Sequence, residues 1–373
     1  MRFLSIAVLS IITAVCHAQE PDTFKVTSDT VSVIDTAFAQ TDTTNFIKKD
    51  TLTIIGVGDI MMGTSYPEDK LPPEDGAFLL RAVEPVLRDA DVTFGNLEGT
   101  LLDAGGTPKT CKDPKVCYVF RTPTRYVGHL IRAGFDMMSL ANNHAGDFGE
   151  AGRLSSMKTL EVAGIVHAGQ ITHPTALFTK DSITYGLAAF APNSNCVSLN
   201  DLEGARAIVA HLDSIADVVI VSFHGGAEGA QYQNVPRATE LYYGENRGNV
   251  YKFSHMLIDA GADIIFGHGP HVTRAVEVYN DRFIAYSLGN FCTHRGISVN
   301  GVNGLAPIVK VFTDRQGKFF KAQITPTYQT YAEGVVIDPQ KQVIKKIQEL
   351  TKKDFPECPI RIDDNGLITY LAQ

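Results

Sequence analysis

Apolar and polar positions alternate on two scales along this chain. Short apolar runs end abruptly in polar clusters, and helical stretches of 3.6-residue period separate them. Leu52 to Val57 runs into Gly58-Asp59, and Asp91 to Phe94 into Gly95-Asn96-Leu97-Glu98. Phe135 to Leu140 leads to Asn142, Asn143, His144 and Asp147, with Gly146 and Gly149 expected to let the backbone turn. Asp217 to Phe223 ends in His224-Gly-Gly-Ala-Glu228, and Asp263 to Phe266 in Gly267-His268-Gly-Pro-His271. The periodic stretches predict helices over Ala77 to Arg88, Thr124 to Ala133, Ala151 to Ala163, Leu202 to Leu212 and Asn249 to Ala260. Thr124 or Thr122 is the expected cap of the second. Such βα alternation predicts a largely parallel sheet with its strand ends along one edge. Beyond His271 the pattern turns to hairpins: Thr273 to Tyr279, a turn at Asn280-Asp281, then Phe283 to Leu288 and Asn290. From Gly334 a β-lean extension is expected, with a basic amphipathic helix near Gln340 to Lys353 lying solvated on the surface.

The two ends frame this block. Arg2, the apolar run Phe3 to Val15 and Cys16-His-Ala18 read as a cleaved secretory signal over residues 1–18, too short for a membrane span. The protein is therefore expected to be exported, to the periplasm or cell surface, with no stable transmembrane span. Residues 20–50 hold seven Thr and five Asp but few apolar residues, so residues 19–50 read as a tether, with a short strand at Val31 to Ile34. The folded domain is expected over residues 51–333, and the extension over 334–373. With 33 basic and 41 acidic residues the net charge is −8, which argues against nucleic acid as a partner. Cys111 and Cys117 flank a short loop; a local bridge and two free thiols are equally compatible with that spacing.

A parallel sheet would bring Asp59, Glu98, Asn143, His224, His268 and His271 together from distant parts of the chain. Carboxylates, an amide oxygen and imidazoles suit Mn, Fe or Zn better than Ca²⁺, as one or two sites. His144 follows a ligand-type Asn and would stay free to act on substrate, with Asp147 holding its ring and keeping it partly protonated. Arg121 and Arg237 are candidates to hold an anionic substrate. His167, His211, His255 and His294 share no strand-end cluster and read as structural.

Gly58-Asp59, Asn96-Leu-Glu98, Asn142-Asn-His144 with Asp147 and Gly149, His224-Gly-Gly-x-Glu228, Gly267-His-x-Pro-His271 and Ser287-Leu-Gly-Asn290 resemble the poly-γ-glutamate capsule synthesis protein (CapA) family. That family is similar to the calcineurin-like metallophosphoesterases. The resemblance implies a four-layer α/β/β/α sandwich, a divalent metal centre and Asn96, Arg121, Glu228 and Asn290 near substrate. It also implies work on poly-γ-glutamate or another anionic or phosphoester substrate, within an envelope polymer-synthesis complex. Met61 stands where the phosphoesterases carry a first-motif histidine, and Asn96-Leu-Glu98 replaces their paired aspartates. Both a metal-dependent hydrolase and a metal-stabilised scaffold for polymer assembly are consistent with that pattern.

Overall fold

The computed structural model describes residues 50–111 and 117–371, so the expected signal, strand 31–34 and nearly all of the tether lie outside the described residues. In chain order the elements begin with β1 (Leu52–Met61), α1 (Glu84–Leu87), β2 (Val92–Leu97), β3 (Thr100–Leu101) and β4 (Arg121–Thr122). Next come α2 (Val127–Ala133), β5 (Met137–Ser139), α3 (Gly149–Val162), β6 (Val166–Ala168), β7 (Thr175–Lys180) and β8 (Ile183–Phe190). Then α4 (Leu202–Asp213), β9 (Val218–His224), the small hairpin β10 (Leu241–Tyr242) and β11 (Glu245–Asn246), α5 (Val250–Asp259) and β12 (Ile264–His268) follow. The chain continues through β13 (Val276–Tyr279), β14 (Arg282–Ala285), β15 (Asn290–Thr293), β16 (Leu305–Thr313) and β17 (Phe319–Thr330). It closes with β18 (Gly334–Ile337), α6 (Gln342–Asp354), β19 (Ile360–Ile362) and β20 (Leu367–Tyr370).

Two large sheets carry the fold. One has ten strands along the path β19-β20-β17-β16-β1-β2-β5-β6, with β15 beside β1 and β18 beside β17; the other runs β13-β14-β12-β9-β8-β7. The helix-linked strands pair in parallel, β1 with β2, β2 with β5, β8 with β9 and β9 with β12. The later hairpins are antiparallel, so each sheet is mixed. The sheets face each other: Phe94 stacks on Phe266 with centroids 5.6 Å apart. Gly56 on β1 makes that approach feasible, because a Cβ there would collide with the Phe266 ring. Leu79, Leu80, Val83, Leu87, Leu130 and Leu160 form a second core on the far side of the ten-stranded sheet, while α4 and α5 cover the outer face of the six-stranded one. This is the expected four-layer α/β/β/α sandwich.

Three local expectations differ. Of Ala77 to Arg88, only Glu84–Leu87 is helical, because Pro85 lacks an N–H and is accommodated only in a first helical turn. Leu79, Leu80 and Val83 ahead of it are still buried, in turns. Neither threonine caps α2: the Thr124 hydroxyl donates to Asp103 and that of Thr122 to the Gly63 carbonyl. The C-terminal part is neither β-lean nor merely solvated. β18 and β20 flank β17, and α6 buries Val343, Ile344, Ile347 and Leu350.

Candidate metal centre

Parallel pairing aligns the polar strand ends. Asp59 is in register with Asn96 on one side and Asn290 on the other, and His224 with His268 in the facing sheet. His271 takes φ 57° in the turn after β12, a conformation uncommon for a residue with a Cβ. That turn sets its Nδ1 3.1 Å from Asp59 Oδ2 and 3.0 Å from Asn290 Oδ1, with Nε2 3.5 Å from Glu98 Oε1. Asn96 donates to Asp59 Oδ1 at 2.8 Å, and Asn142 donates in turn to Asn96 Oδ1 at 3.1 Å and to the Leu97 carbonyl. Single ligand atoms of Asp59, Glu98 and His271 lie within 4.8 Å of one another.

Charge in this enclosure is uneven. Burial works against the Asp59 carboxylate, yet the hydrogen bond and charge of His271 hold it down at about 2. Burial likewise opposes the His271 cation, but Glu98 and Asp59 outweigh it and push the ring up to about 10. Burial dominates at Glu98 and raises it well above the usual carboxylate range; at His224 it depresses the imidazole well below its usual value. Both Glu98 oxygens, both His224 nitrogens and Asn143 Oδ1 are enclosed without a hydrogen-bond partner. Buried polar atoms are nearly always bonded, and each orphan costs about 1–3 kcal/mol. Five orphaned nitrogen and oxygen ligand atoms beside an Asp–His pair fit a divalent cation.

His144 sits on the rim of this set. Its Nδ1 meets Asp147 Oδ2 at 2.8 Å, Phe120 stacks on its ring, and Nε2 has no protein partner among the described residues. Asp147 also takes the Phe120 N–H and pairs with Lys109. Burial lowers the pKa of the ring, and Lys109 adds to that against the pull of Asp147, a direction opposite to the expected partial protonation; a neutral ring with its proton on Nδ1, toward Asp147, would carry a lone pair on Nε2. Gly149 has φ 62°, as the turn requires, whereas Gly146 has no positive φ and serves another purpose.

The other expected residues fall in different places. His268 is not aimed at the donor set: Nε2 bonds the Val57 carbonyl at 3.1 Å, and Nδ1 lies 3.3 Å from Ser222 Oγ. Side-chain direction at a strand end depends on register, and the spacing of the histidines does not reveal it. Arg121 leans on Ser65, Tyr66 and Phe148, and Arg237 on Glu357, Tyr251 and Phe355; neither contacts the donor set. Glu228 pairs with the buried Arg247 at 2.8 Å, and its charge reaches Glu98 and His271. Asn290 accepts from His271 and donates to backbone carbonyls of the neighbouring loop. The structure adds Asn142, Lys109 and Arg247 to the site. Asn142 stands within the polar cluster, but nothing around Lys109 or Arg247 marks them in sequence. Cys111 and Cys117 are bridged, two residues from Lys109.

Fold and site together define a four-layer sandwich with metal-type donors gathered at its strand ends. The profile described as "Bacterial capsule synthesis protein PGA_cap" matches residues 53–295, and the chain belongs to that family. The chain is 30% identical over 276 residues to the PGA biosynthesis protein CapA of Bacillus subtilis (strain 168), covering 69% of this chain and 67% of the relative. It is 29% identical over 270 residues to the capsule biosynthesis protein CapA of Bacillus anthracis, covering 67% of this chain and 61% of that relative's length. Overlap with a solved 5'-nucleotidase precursor from Thermus thermophilus is looser, with 14% identity, a TM-score of 0.43, and 81% of this chain and 58% of that one covered.

Proposed function

We propose that this protein is an exported, metal-dependent hydrolase acting on poly-γ-glutamate or a related anionic polymer of the cell envelope. One observation carries the reading: five enclosed ligand atoms on Glu98, His224 and Asn143 lack partners beside the Asp59–His271 pair. These five residues would hold the ion or ions. A bound divalent cation supplies Lewis acidity there, lowering the pKa of water and offsetting negative charge. The protein's own residues do the rest. Asn96 and Asn142 fix the aim of Asp59, while Asp147 and Lys109 fix the ring of His144 so that its Nε2 lone pair can accept a proton. Family membership supports the polymer class, and the Cys111–Cys117 bridge supports an oxidising compartment outside the cytoplasm. No helix among the described residues is long and apolar enough to cross a membrane.

The test is metal content after purification without chelators, followed by hydrolysis of a generic phosphoester and of poly-γ-glutamate. Bound Mn, Fe or Zn with chelator-sensitive cleavage of either substrate is the expected result. Metal-free, inactive protein would overturn it. A second reading draws on Met61 and on His268 being bonded elsewhere, which thin the ligand set. In that reading the metal braces a non-catalytic scaffold in a polymer-synthesis complex, and metal without turnover is its signature.

A further inference from the structure

A cleft of about 510 Å³ opens beside the donor set, lined in part by Asn142 and Asn143 and by Arg153, Asn193, Asn200 and Asn246. No aromatic, Leu, Ile, Val or Met side chain lines it. A nucleobase or an acyl chain would therefore find little beyond Pro192 to pack against. What the cleft offers is a row of asparagines with two cations, the Lys109 ammonium, which pairs with Asp147, and the Arg153 guanidinium. Asn193 Oδ1 is enclosed without a hydrogen-bond partner, an acceptor awaiting an N–H.

Arg153, on α3, is the unusual member. Arg247, Arg274 and Arg282 each pair with a carboxylate, but half-buried Arg153 has no ion pair or hydrogen bond among the described residues. Glu245, on the cleft wall, leans instead toward Arg247 at 3.7 Å. Gly146 explains how Arg153 reaches the cleft. A Cβ at that glycine would lie 2.7 Å from Arg153 Nη1, so its missing side chain provides room for the guanidinium. The loop that carries Asn143 and His144 is thereby cut away to let an arginine pass.

We propose that this cleft is a groove for a carboxylate-bearing polyamide. Arg153 clamps a pendant carboxylate through its planar fork, and Asn193 Oδ1 accepts an amide N–H of the chain. The proposal rests on the functional reading above only for the class of polymer, and binding is measured apart from turnover.

The probe is a short, fluorescently labelled γ-linked glutamate oligomer, followed by polarisation in the cold within minutes of mixing with the mature chain. Saturable binding is expected. Arg153→Ala should weaken it by about tenfold or more, Arg153→Lys by less, and Gly146→Ala should also weaken it by displacing the guanidinium. Lys158→Ala removes a positive charge from the same helix outside the cleft and should bind as wild type. An oligomer with its carboxylates converted to amides should compete at least about tenfold less well, as loss of a charge-assisted pair implies. Wild-type affinity in folded Arg153→Ala protein, or equal competition by the amidated oligomer, would overturn the groove. Should Arg153→Ala fail to fold, Gly146→Ala and the amidated competitor still decide. Binding lost in Arg153→Ala with no turnover in any protein removes the hydrolase and keeps the groove; turnover with Arg153-independent binding does the reverse.

Discussion

Arg274 and Glu98 are both enclosed by the fold, and they are treated in opposite ways. Arg274 donates from Nε to the Tyr232 carbonyl, from Nη1 and Nη2 to Glu240 at 2.8 Å each, and again from Nη2 to the Ala227 carbonyl. Glu240 in turn accepts the Ala227 N–H. Glu98 has no hydrogen-bond donor on either oxygen, and the two nitrogens of His224 are equally bare. Burial alone does not explain the difference, since the fold gives one charge four hydrogen bonds. Where a buried group only ties loops together, its bonds are made; where lone pairs are left open together, the site is shaped for something that arrives from outside.

The largest effect should come from breaking the saturated cluster. Arg274→Ala leaves the Glu240 carboxylate enclosed and unpaired, and should cost about 3–5 kcal/mol in chemical denaturation. A loss under about 1 kcal/mol would show that the pair is not structural in this sense. Next comes His144→Asn. It should keep fold and bound metal while lowering hydrolysis by about two orders of magnitude, measured as turnover by metal-replete protein. Wild-type turnover would remove His144 from the chemistry.

A smaller effect sharpens the open side of the comparison. His271 at about 10 carries a proton at neutral pH that it must lose to bind a cation, and burial shifts Glu98 in the same direction, toward holding its proton to higher pH. Metal affinity should therefore rise with pH, by up to about tenfold per unit for each proton released, in calorimetric titrations in buffers of different ionisation enthalpy. Metal-free stability should move oppositely. The raised His271 adds stability that is complete below its ordinary value of 6.5 and fades as pH climbs toward 10. Affinity that is flat across neutral pH would mean that these groups do not meet the ion. The smallest effect belongs to Glu98→Gln in the metal-free protein. No hydrogen bond is lost and burial already disfavours the Glu98 charge, so stability should change by less than about 1 kcal/mol. The same variant should lose the melting-temperature gain from added metal. A large loss without metal would place Glu98 with Arg274 and not against it.

Much of this is legible in the chain because apolar runs ending in Asp59, Glu98, Asn143 and His224 mark parallel strand ends, and pairing aligns such ends automatically. The amphipathic period of α6 is equally plain: Val343, Ile344, Ile347 and Leu350 recur on one face. Its charge obscures that face, although lysines can surround a buried stripe as easily as a solvated helix. What cannot be read is direction. His268 and His271 look alike in sequence, but one ring turns to the Val57 carbonyl and the other, through a left-handed turn, to Asp59. Lys109 and Arg153 reach the site from an irregular loop and from a helix, so no strand-end pattern announces them.

The position of β1 has a consequence for how the chain acquires its shape. Its first half pairs with residues 309–313 and its last residues with 290–293, whereas β2 lies close behind it in sequence. During synthesis the strand bearing Asp59 therefore waits with one edge open until the chain has grown through β16. Closing so long a loop is slow, and an unpaired edge invites wrong partners. A chain cut short before Thr313 would lack part of that ladder, and one cut before His271 would also lack the ring that meets Asp59. Assembly of the centre is in this way tied to completion of the polypeptide, and fragments ending early should neither fold cooperatively nor retain metal.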